Sequence, residues 1–324
     1  MTAQIGWSGV LVAVLAGIGF SAAAFAEDGP KKPSTLEQFE KAQARLAKNE
    51  TYDLQYKFAK GDVLRYRTEH LSTVETRIQG VTQTAKCRSG SVKIWKITSV
   101  DASGQAIFTH MVDDVDMWQQ VTGREEQRYN SRTDGKVAPP GYEMVALSVG
   151  VPLAEITIDI RGIVVKRDNK LKQFSLGQGQ LTLPLPPRPV KIGEDWSLSV
   201  DVPVQLESGT QKMVNTRVVY KLEQVLTGVA TISMDTKVLT PINDQAVQAQ
   251  LVQRLLKGEI KFDMDAGRVI SQELNQDQTV LAFKGAESRM QYLARYTEHL
   301  ETEDEASDKP VEKQAVRPAG PEAK

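Results

Sequence analysis

Two pairs of aspartates are the residues of this sequence with the clearest potential for chemistry. Asp114 and Asp116 precede Trp118, and Asp263 and Asp265 precede an Ala-Gly pair. Alternate residues of a β-strand share a face, so Asp114 and Asp116 are expected to point the same way. Such a pair could accept Ca²⁺ or flank a sugar, on which Trp118 could stack. A solvated polar face is the favoured interpretation, because the alternating oxygen ligands of a calcium-binding loop are missing.

We therefore keep Asp114, Asp116 and Trp118 as candidate binding residues and predict no catalytic, cofactor-binding or metal-binding residue. The histidines His70, His110 and His299 are far apart and form no zinc pattern. Each falls on a predicted strand, where a solvent-facing or hydrogen-bonded imidazole is expected. The sequence contains no nucleophile elbow, Walker loop or Rossmann fingerprint, and the Gly-Gln-Gly at 177–179 lacks a following helix.

Cys87 is the only cysteine, so no intrachain disulfide can form. Its neighbours Lys86 and Arg88 could lower the thiol pKa, and intermolecular pairing is an alternative role. A thiol without function on a strand is the favoured interpretation. The 40 basic and 41 acidic residues nearly balance, which predicts no nucleic-acid partner.

The first 26 residues indicate export from the cytoplasm. They carry no charged side chain, and Ala24-Phe25-Ala26 matches the small-x-small cleavage pattern ahead of Glu27. An uncleaved anchor is the rival interpretation, since the segment is long enough to span a bilayer and lacks the usual basic residues at its start. We expect cleavage, a periplasmic or extracellular chain, and no integral membrane segment after cleavage.

Hydrophobic periodicity predicts an all-β fold with one N-terminal helix. A capping box at Ser34 and Glu37 starts an amphipathic helix within 27–51. From Tyr52 to Phe58 apolar residues alternate with polar ones, as in a half-buried strand. Met290–Leu300 alternates in the same way and predicts a closing strand.

Three sequence landmarks recur in one order and predict two related antiparallel β-units, built as curved sheets or half-barrels. The glycine pairs 61/193, 104/228 and 135/267 are 132, 124 and 132 residues apart. The first unit covers 52–182 and the second covers 191–300, with a stiff proline-rich connector at 183–190. A polar tail at 301–324 is predicted to be disordered.

The second unit carries extra residues at 244–257. Val247, Leu251 and Leu255 have helical spacing, and Gly258 offers a C-terminal stop, which predicts a short inserted helix. The apolar residues of this segment also fit the alternation of a strand, which is the alternative prediction.

Several turn and core segments of this chain occur in an order that resembles a known protein family. They are Gly61-Asp-x-Leu-x-Tyr66, the hairpin at 100–104, and the segments at 158–164, 189–196 and 220–232. Over 52–280 the chain resembles an uncharacterised family of secreted, β-rich bacterial proteins that carry a domain of unknown function. The resemblance implies export and a β fold, and it transfers no catalytic residue.

The leading hypothesis is a non-enzymatic exported protein that acts as a binding or cell-envelope-associated module. One alternative is a carrier whose curved sheets enclose a small apolar ligand. Another is an envelope hydrolase that uses Asp114 or Asp116. The expected partner is therefore an envelope component or a small apolar ligand.

Overall fold

A computed structural model describes residues 50–171 and 181–302. The predicted signal peptide, with Ala24, Ala26 and Glu27, and the predicted N-terminal helix lie outside these residues. So do the Gly-Gln-Gly segment and the predicted tail beyond Thr302. Within the described ranges, no helix has the length and hydropathy that crossing a membrane would require.

The described chain folds into fourteen strands and a few short helical turns. The strands are β1 (Thr51–Tyr52), β2 (Val63–Ile78), β3 (Val81–Val100), β4 (Ala106–Val121), β5 (Gln127–Asn130), β6 (Pro152–Ile158), β7 (Val164–Asn169), β8 (Val190–Lys191), β9 (Asp195–Gln205), β10 (Gln211–Leu226), β11 (Val229–Val238), β12 (Lys257–Asp263), β13 (Arg268–Leu281) and β14 (Arg289–Leu300). The α-helices are α1 (Glu143–Ser148) and α2 (Gln245–Leu251), and α2 continues into a 3₁₀ turn at Val252–Arg254. The all-β prediction is confirmed.

Twelve strands form one continuous antiparallel sheet in the order β7-β6-β4-β3-β2-β14-β13-β12-β11-β10-β9, with β5 added beside β4. Strands β1 and β8 pair separately. From β2 the chain moves outward strand by strand to β7, crosses to β9 at the other edge, and returns to β14. The first and last long strands, β2 and β14, therefore pair with each other from Tyr66 to Arg77.

One face of the sheet, here called the inner face, carries the core. It presents large buried side chains such as Tyr66, Trp95, Phe108, Tyr220 and Tyr296. The opposite face is the outer face. Because side chains alternate across a strand, each long strand contributes to both faces.

The turns before β2 and β9 make the same backbone hydrogen bonds. Gly61 donates to the Ile97 carbonyl at 2.9 Å, and Gly193 donates to the Leu222 carbonyl at 2.7 Å. The amides of Ile97 and Leu222 each donate back to the residue after the glycine. Both glycines have a positive φ, which other residues adopt only with strain. This correspondence favours the predicted duplication, which stays a prediction, and the strands of both predicted units share one sheet.

The strand predicted from Tyr52 to Phe58 is wrong beyond Tyr52. Leu54 and Tyr56 are buried as the alternation predicted. However, the Tyr56 amide donates to Ile160 and the Lys57 amide to Gly267, which lie in two different turns. The segment is therefore extended and packed against the inner face without joining a ladder.

The proline-rich segment 183–190 also belongs to the core. Leu183 and Leu185 are almost fully buried, and the Leu183 amide donates to the Tyr56 hydroxyl at 2.9 Å. Trp196 Nε1 donates to the Pro184 carbonyl at 2.8 Å. The segment that links the two predicted units thus fills the inner face instead of crossing solvent.

The inserted helix is confirmed, but its predicted stop is wrong. Asp244 accepts hydrogen bonds from the amides of Ala246 and Val247 and caps α2. Gly258 lies inside β12 with an ordinary strand φ. It approaches β13 so closely that a Cβ there would lie 1.9 Å from the Glu273 carbonyl oxygen. Helix α1 was not predicted, because six residues are too few to show a helical period.

Candidate ligand groove on the outer face

A β-bulge in β4 turns the candidate residues to the outer face. Val112 is buried on the inner face, so unbroken alternation would also point Asp114 and Asp116 inward. The register between β3 and β4 shifts at this point, so that Val115 and Met117 take the buried positions instead. Asp114, Asp116 and Trp118 consequently share the outer face.

These three residues line two neighbouring depressions on the outer face of the central strands, which are here together called the outer-face groove. Cross-strand pairing places Trp118 beside Arg88, Arg88 beside Leu71, and Leu71 beside Arg295. Asn275 and Lys257 continue the same row on β13 and β12. With strands about 4.8 Å apart, the row from β4 to β12 is about 24 Å long.

The part of the groove around Asp114 and Asp116 is here called the ion-paired half, and its volume is about 260 Å³. Arg88 donates to Glu69 at 2.8 Å and to Asp116 at 2.9 Å. These hydrogen bonds, first the one to Glu69, raise the pKa of the Arg88 guanidinium. Gly90 lies opposite Asp116 and adds no side chain to the floor.

Asp114 is held in the same way by neighbours that follow β5. It lies 2.5 Å from Arg132 and accepts a hydrogen bond from the Ser131 hydroxyl at 3.0 Å. Both candidate carboxylates are therefore engaged by arginine. Within the described ranges, no three His, Cys, Asp or Glu side chains group together as metal ligands would.

The part around Trp118 is here called the cationic half, and its volume is about 620 Å³. Trp118 is half-buried, and Leu71 and Leu293 supply further apolar surface. Lys86, Lys257 and Arg295 also line it, and within the described ranges they form no ion pair or side-chain hydrogen bond. Among the described residues that line it, Asp277 is the single acidic one. This half thus combines an aromatic platform with three cations that have no partner among the residues that the structure describes.

The inner face carries a buried polar cluster that reaches from β3 across β2 to β14 and β13. Glu298 is ion-paired with Lys93. It accepts hydrogen bonds from the Tyr296 hydroxyl at 2.6 Å and from Gln272 at 2.9 Å. Burial, then the Glu298 charge, raises the pKa of Tyr296 well above its usual range. The cluster borders a small, partly open cavity of about 20 Å³, which has room for about one water molecule.

The histidines lie apart, and the expectation of a solvent-facing or hydrogen-bonded imidazole is wrong for His110. Among the described residues, neither ring nitrogen of buried His110 has a hydrogen-bond partner, and Nε2 of half-buried His70 has none. Burial, with a smaller contribution from Lys93 and Arg167, lowers the pKa of His110 to about 4. Burial also lowers the pKa of His70. His299 is exposed and lines the ion-paired half.

The thiol of Cys87 is not activated by its neighbours. Cys87 pairs with Ser72 on the inner face, whereas Lys86 and Arg88 point to the outer face. Burial raises the pKa of the thiol instead of lowering it.

The sequence did not indicate Lys86, Arg295 and Lys257 as site residues. They come from three strands whose order in the sheet depends on the pairing of β2 with β14. One signal was present in the sequence, since Arg295-Tyr-Thr-Glu-His-Leu300 resembles the segment 65–71 with which it pairs.

No protein-family model and no curated protein match the chain. Among solved structures, it is similar to lipovitellin, described for its lipid–protein interactions, at 14% identity and a TM-score of 0.39. The match covers 76% of this chain and 26% of lipovitellin, so the chain spans about a quarter of that protein's length.

Two bacterial structures are also similar. The translocator domain of the autotransporter NalP from Neisseria meningitidis matches at 5% identity and a TM-score of 0.27, over 81% of this chain and 95% of that one. A DUF1329 family protein from Desulfovibrio piger matches at 10% identity and a TM-score of 0.14, over 70% and 83% of the two chains. These similarities are weak, and the function is therefore argued from the residues of this chain.

Proposed function

We propose that this chain is an exported, non-enzymatic binding module that holds an anionic component of the cell envelope in the outer-face groove. One observation carries the proposal. The cationic half places three cations around Trp118, and none of them has a partner in the described part of the chain: Lys86, Arg295 and Lys257. Cations beside an aromatic face suit a ligand that has both negative charge and a flat or apolar part.

The contacts of Asp114 and Asp116 favour binding over hydrolysis. A general acid or base must exchange a proton with the substrate. Here Arg88 and Arg132 bind the two carboxylates, and Ser131 donates to Asp114 as well. The two carboxylates hold Arg88 and Arg132 in place, and this role explains their contacts more simply than hydrolysis does.

The packing of the inner face favours a ligand on the outer face over an enclosed apolar ligand. The segments 53–59 and 181–185 cover the inner face, where Tyr56 and Leu183 are buried. The cavity beside them has a volume of only about 20 Å³. A carrier that encloses an apolar ligand would require these segments to move.

Export, membership of the family of secreted β-rich proteins and the two-unit organisation are parts of the same proposal. The uncharged segment ahead of Glu27 supports export. The shared hydrogen bonds at Gly61 and Gly193 support the two units.

The first prediction tests the groove with a defined probe. We expect a hexamer of galacturonic acid to bind the purified chain in calorimetric titration, because its carboxylates can pair with the free cations while a sugar ring stacks on Trp118. A neutral glucose hexamer should not bind. The double variant Lys86→Gln/Arg295→Gln should weaken binding about tenfold, or about 1.4 kcal/mol.

The matched control is Lys212→Gln/Arg217→Gln, which neutralises two exposed cations outside the groove. It should leave the affinity unchanged. Equal binding of the two hexamers, no binding of the charged one, or an equal loss in both double variants would contradict the proposed function.

A further inference from the structure

We propose that the acidic stretch at 303–308 of this chain binds in the cationic half of the outer-face groove. This inference rests on the proposed function, since it assigns a built-in competitor to the same site. An anionic ligand would then have to displace the stretch before it could bind.

Charge complementarity is the first argument. Lys86, Lys257 and Arg295 line the cationic half without ion-pair partners in the described part of the chain. The stretch 303–308 contains four carboxylates and no basic residue, namely Glu303, Asp304, Glu305 and Asp308. Opposite charges of this number attract at short range and are screened by salt.

The position of the last described residues is the second argument. Glu301 follows β14 and is held at the outer face by Arg65 and Arg67. Arg295 lies six positions before Glu301, which corresponds to about 20 Å along a strand. The seven residues 302–308 can span about 24 Å, so the carboxylates at the far end of the stretch can reach Arg295 and the long side chains of Lys86 and Lys257.

The ion-paired half offers the stretch no comparable site. Arg88 already binds Glu69 and Asp116, and Arg67 already binds Glu301. A carboxylate that entered there would have to break these pairs. The free cations on the other side of Arg88 need no such exchange.

Covalent linkage favours the stretch over a free anion of equal charge. A short tether typically holds a segment near its site at an effective concentration in the millimolar range. Weak individual ion pairs can therefore keep the groove occupied. The expected consequence is a lower apparent affinity for an external anionic ligand.

Zero-length carbodiimide cross-linking of the full exported chain tests the contact directly, because it joins carboxylates to lysine amines in contact. Mass spectrometry should find 303–308 joined to Lys86 or Lys257. Exposed lysines outside the groove, Lys60 and Lys212, should be joined rarely. The specific products should disappear in about 0.5 M NaCl.

A matched pair of variants sharpens the test. Arg295→Gln should reduce the specific products several-fold, whereas Arg217→Gln, an exposed outer-face arginine away from the groove, should not. Cross-links spread evenly over all lysines would overturn the inference. Cross-links found only between two chains would also overturn it and would identify a second copy as the occupant.

Titration of the galacturonate hexamer separates this inference from the proposed function. Neutralising the stretch by Glu303→Gln, Asp304→Asn, Glu305→Gln and Asp308→Asn should raise the affinity about tenfold. The control Glu312→Gln/Glu322→Gln, further along the same segment, should not. Specific cross-links without hexamer binding would leave the inference standing and the proposed function contradicted, whereas tight binding unaffected by these variants would do the reverse.

Discussion

Cys87, Lys86 and Arg88 are neighbours in the sequence, yet the thiol and the two cations lie on opposite faces of β3. The cations consequently shape the outer-face groove, while burial raises the pKa of the thiol. The alternation of side chains along a strand also places His110 on the opposite face from its neighbours on β4. At the scale of single residues, the face of the sheet decides which groups a side chain meets.

The second prediction concerns His110 and states that the free energy of unfolding depends on pH. Its pKa falls from the ordinary 6.5 to about 4 in the folded chain, first through burial and then through Lys93 and Arg167. The unfolded state therefore binds more protons between these two values, and the free energy of unfolding falls as the pH drops from about 6.5 to 4. The loss should approach about 3 kcal/mol.

Urea unfolding across this pH range measures the effect. His110→Leu should remove this part of the slope, because no imidazole remains to be protonated. His299→Gln, at an exposed histidine, should keep the slope of the parent chain. If the parent and His110→Leu showed the same slope, the assignment to His110 would be wrong.

At the scale of elements, short irregularities determine which side chains a strand presents. The bulge in β4 turns Asp114 and Asp116 outward, and the close contact of β12 with β13 requires Gly258. Helix α2 has only seven residues, so packing and capping must hold it on the sheet. Val247 and Leu251 pack against Val202, Val204 and Val214.

The third prediction concerns the cap of α2. The Asp244 carboxylate accepts from the amides of Ala246 at 2.8 Å and Val247 at 3.3 Å. Asp244→Ala leaves both donors without this partner and should lower the free energy of unfolding by about 1 kcal/mol. Chemical denaturation measures the loss.

Asn also caps helices well, so Asp244→Asn should retain most of the stability. Equal losses for Ala and Asn would show that the cap hydrogen bonds are not the cause.

For the whole molecule, the pairing of β2 with β14 joins the two ends of the described chain. The Lys93–Glu298 pair lies at this junction and connects β3 to β14, and Gln272 extends it to β13. The side chain of Glu298 is 6% exposed and that of Lys93 is 15% exposed. Removing one charge would therefore leave the other buried and unpaired.

The fourth prediction follows from that burial. Glu298→Gln should lower the free energy of unfolding by about 3–5 kcal/mol, because Lys93 keeps its charge without a counterion. The double variant Lys93→Met/Glu298→Gln should recover much of this loss, since it removes both charges. Denaturation of the parent, single and double variants measures the coupling, and strictly additive losses would contradict it.

Part of this organisation was predictable from local patterns. Alternation of apolar residues predicted Met290–Leu300 as a strand, and the spacing of Val247 and Leu251 predicted a helix. The same alternation failed at Tyr52–Phe58, because it reports burial on one side and not hydrogen bonding to a neighbour. Leu54 and Tyr56 are indeed buried, yet their segment joins no ladder.

The candidate site was only partly predictable for a similar reason. Asp114, Asp116 and Trp118 lie on one strand, where alternation relates them directly. Arg295 and Lys257 reach the same groove from strands more than a hundred residues away. No local pattern reports that proximity.

The sequence by itself determined the all-β class, the glycine turns and the alternation of side chains, because each depends on residues close together in the chain. Only the tertiary structure decided the strand order, the burial of 183–190 and the grouping of free cations around Trp118. Strand pairing joins residues of distant sequence position, and its register selects which side chains become neighbours. The outer-face groove therefore depends on the closure of β14 against β2.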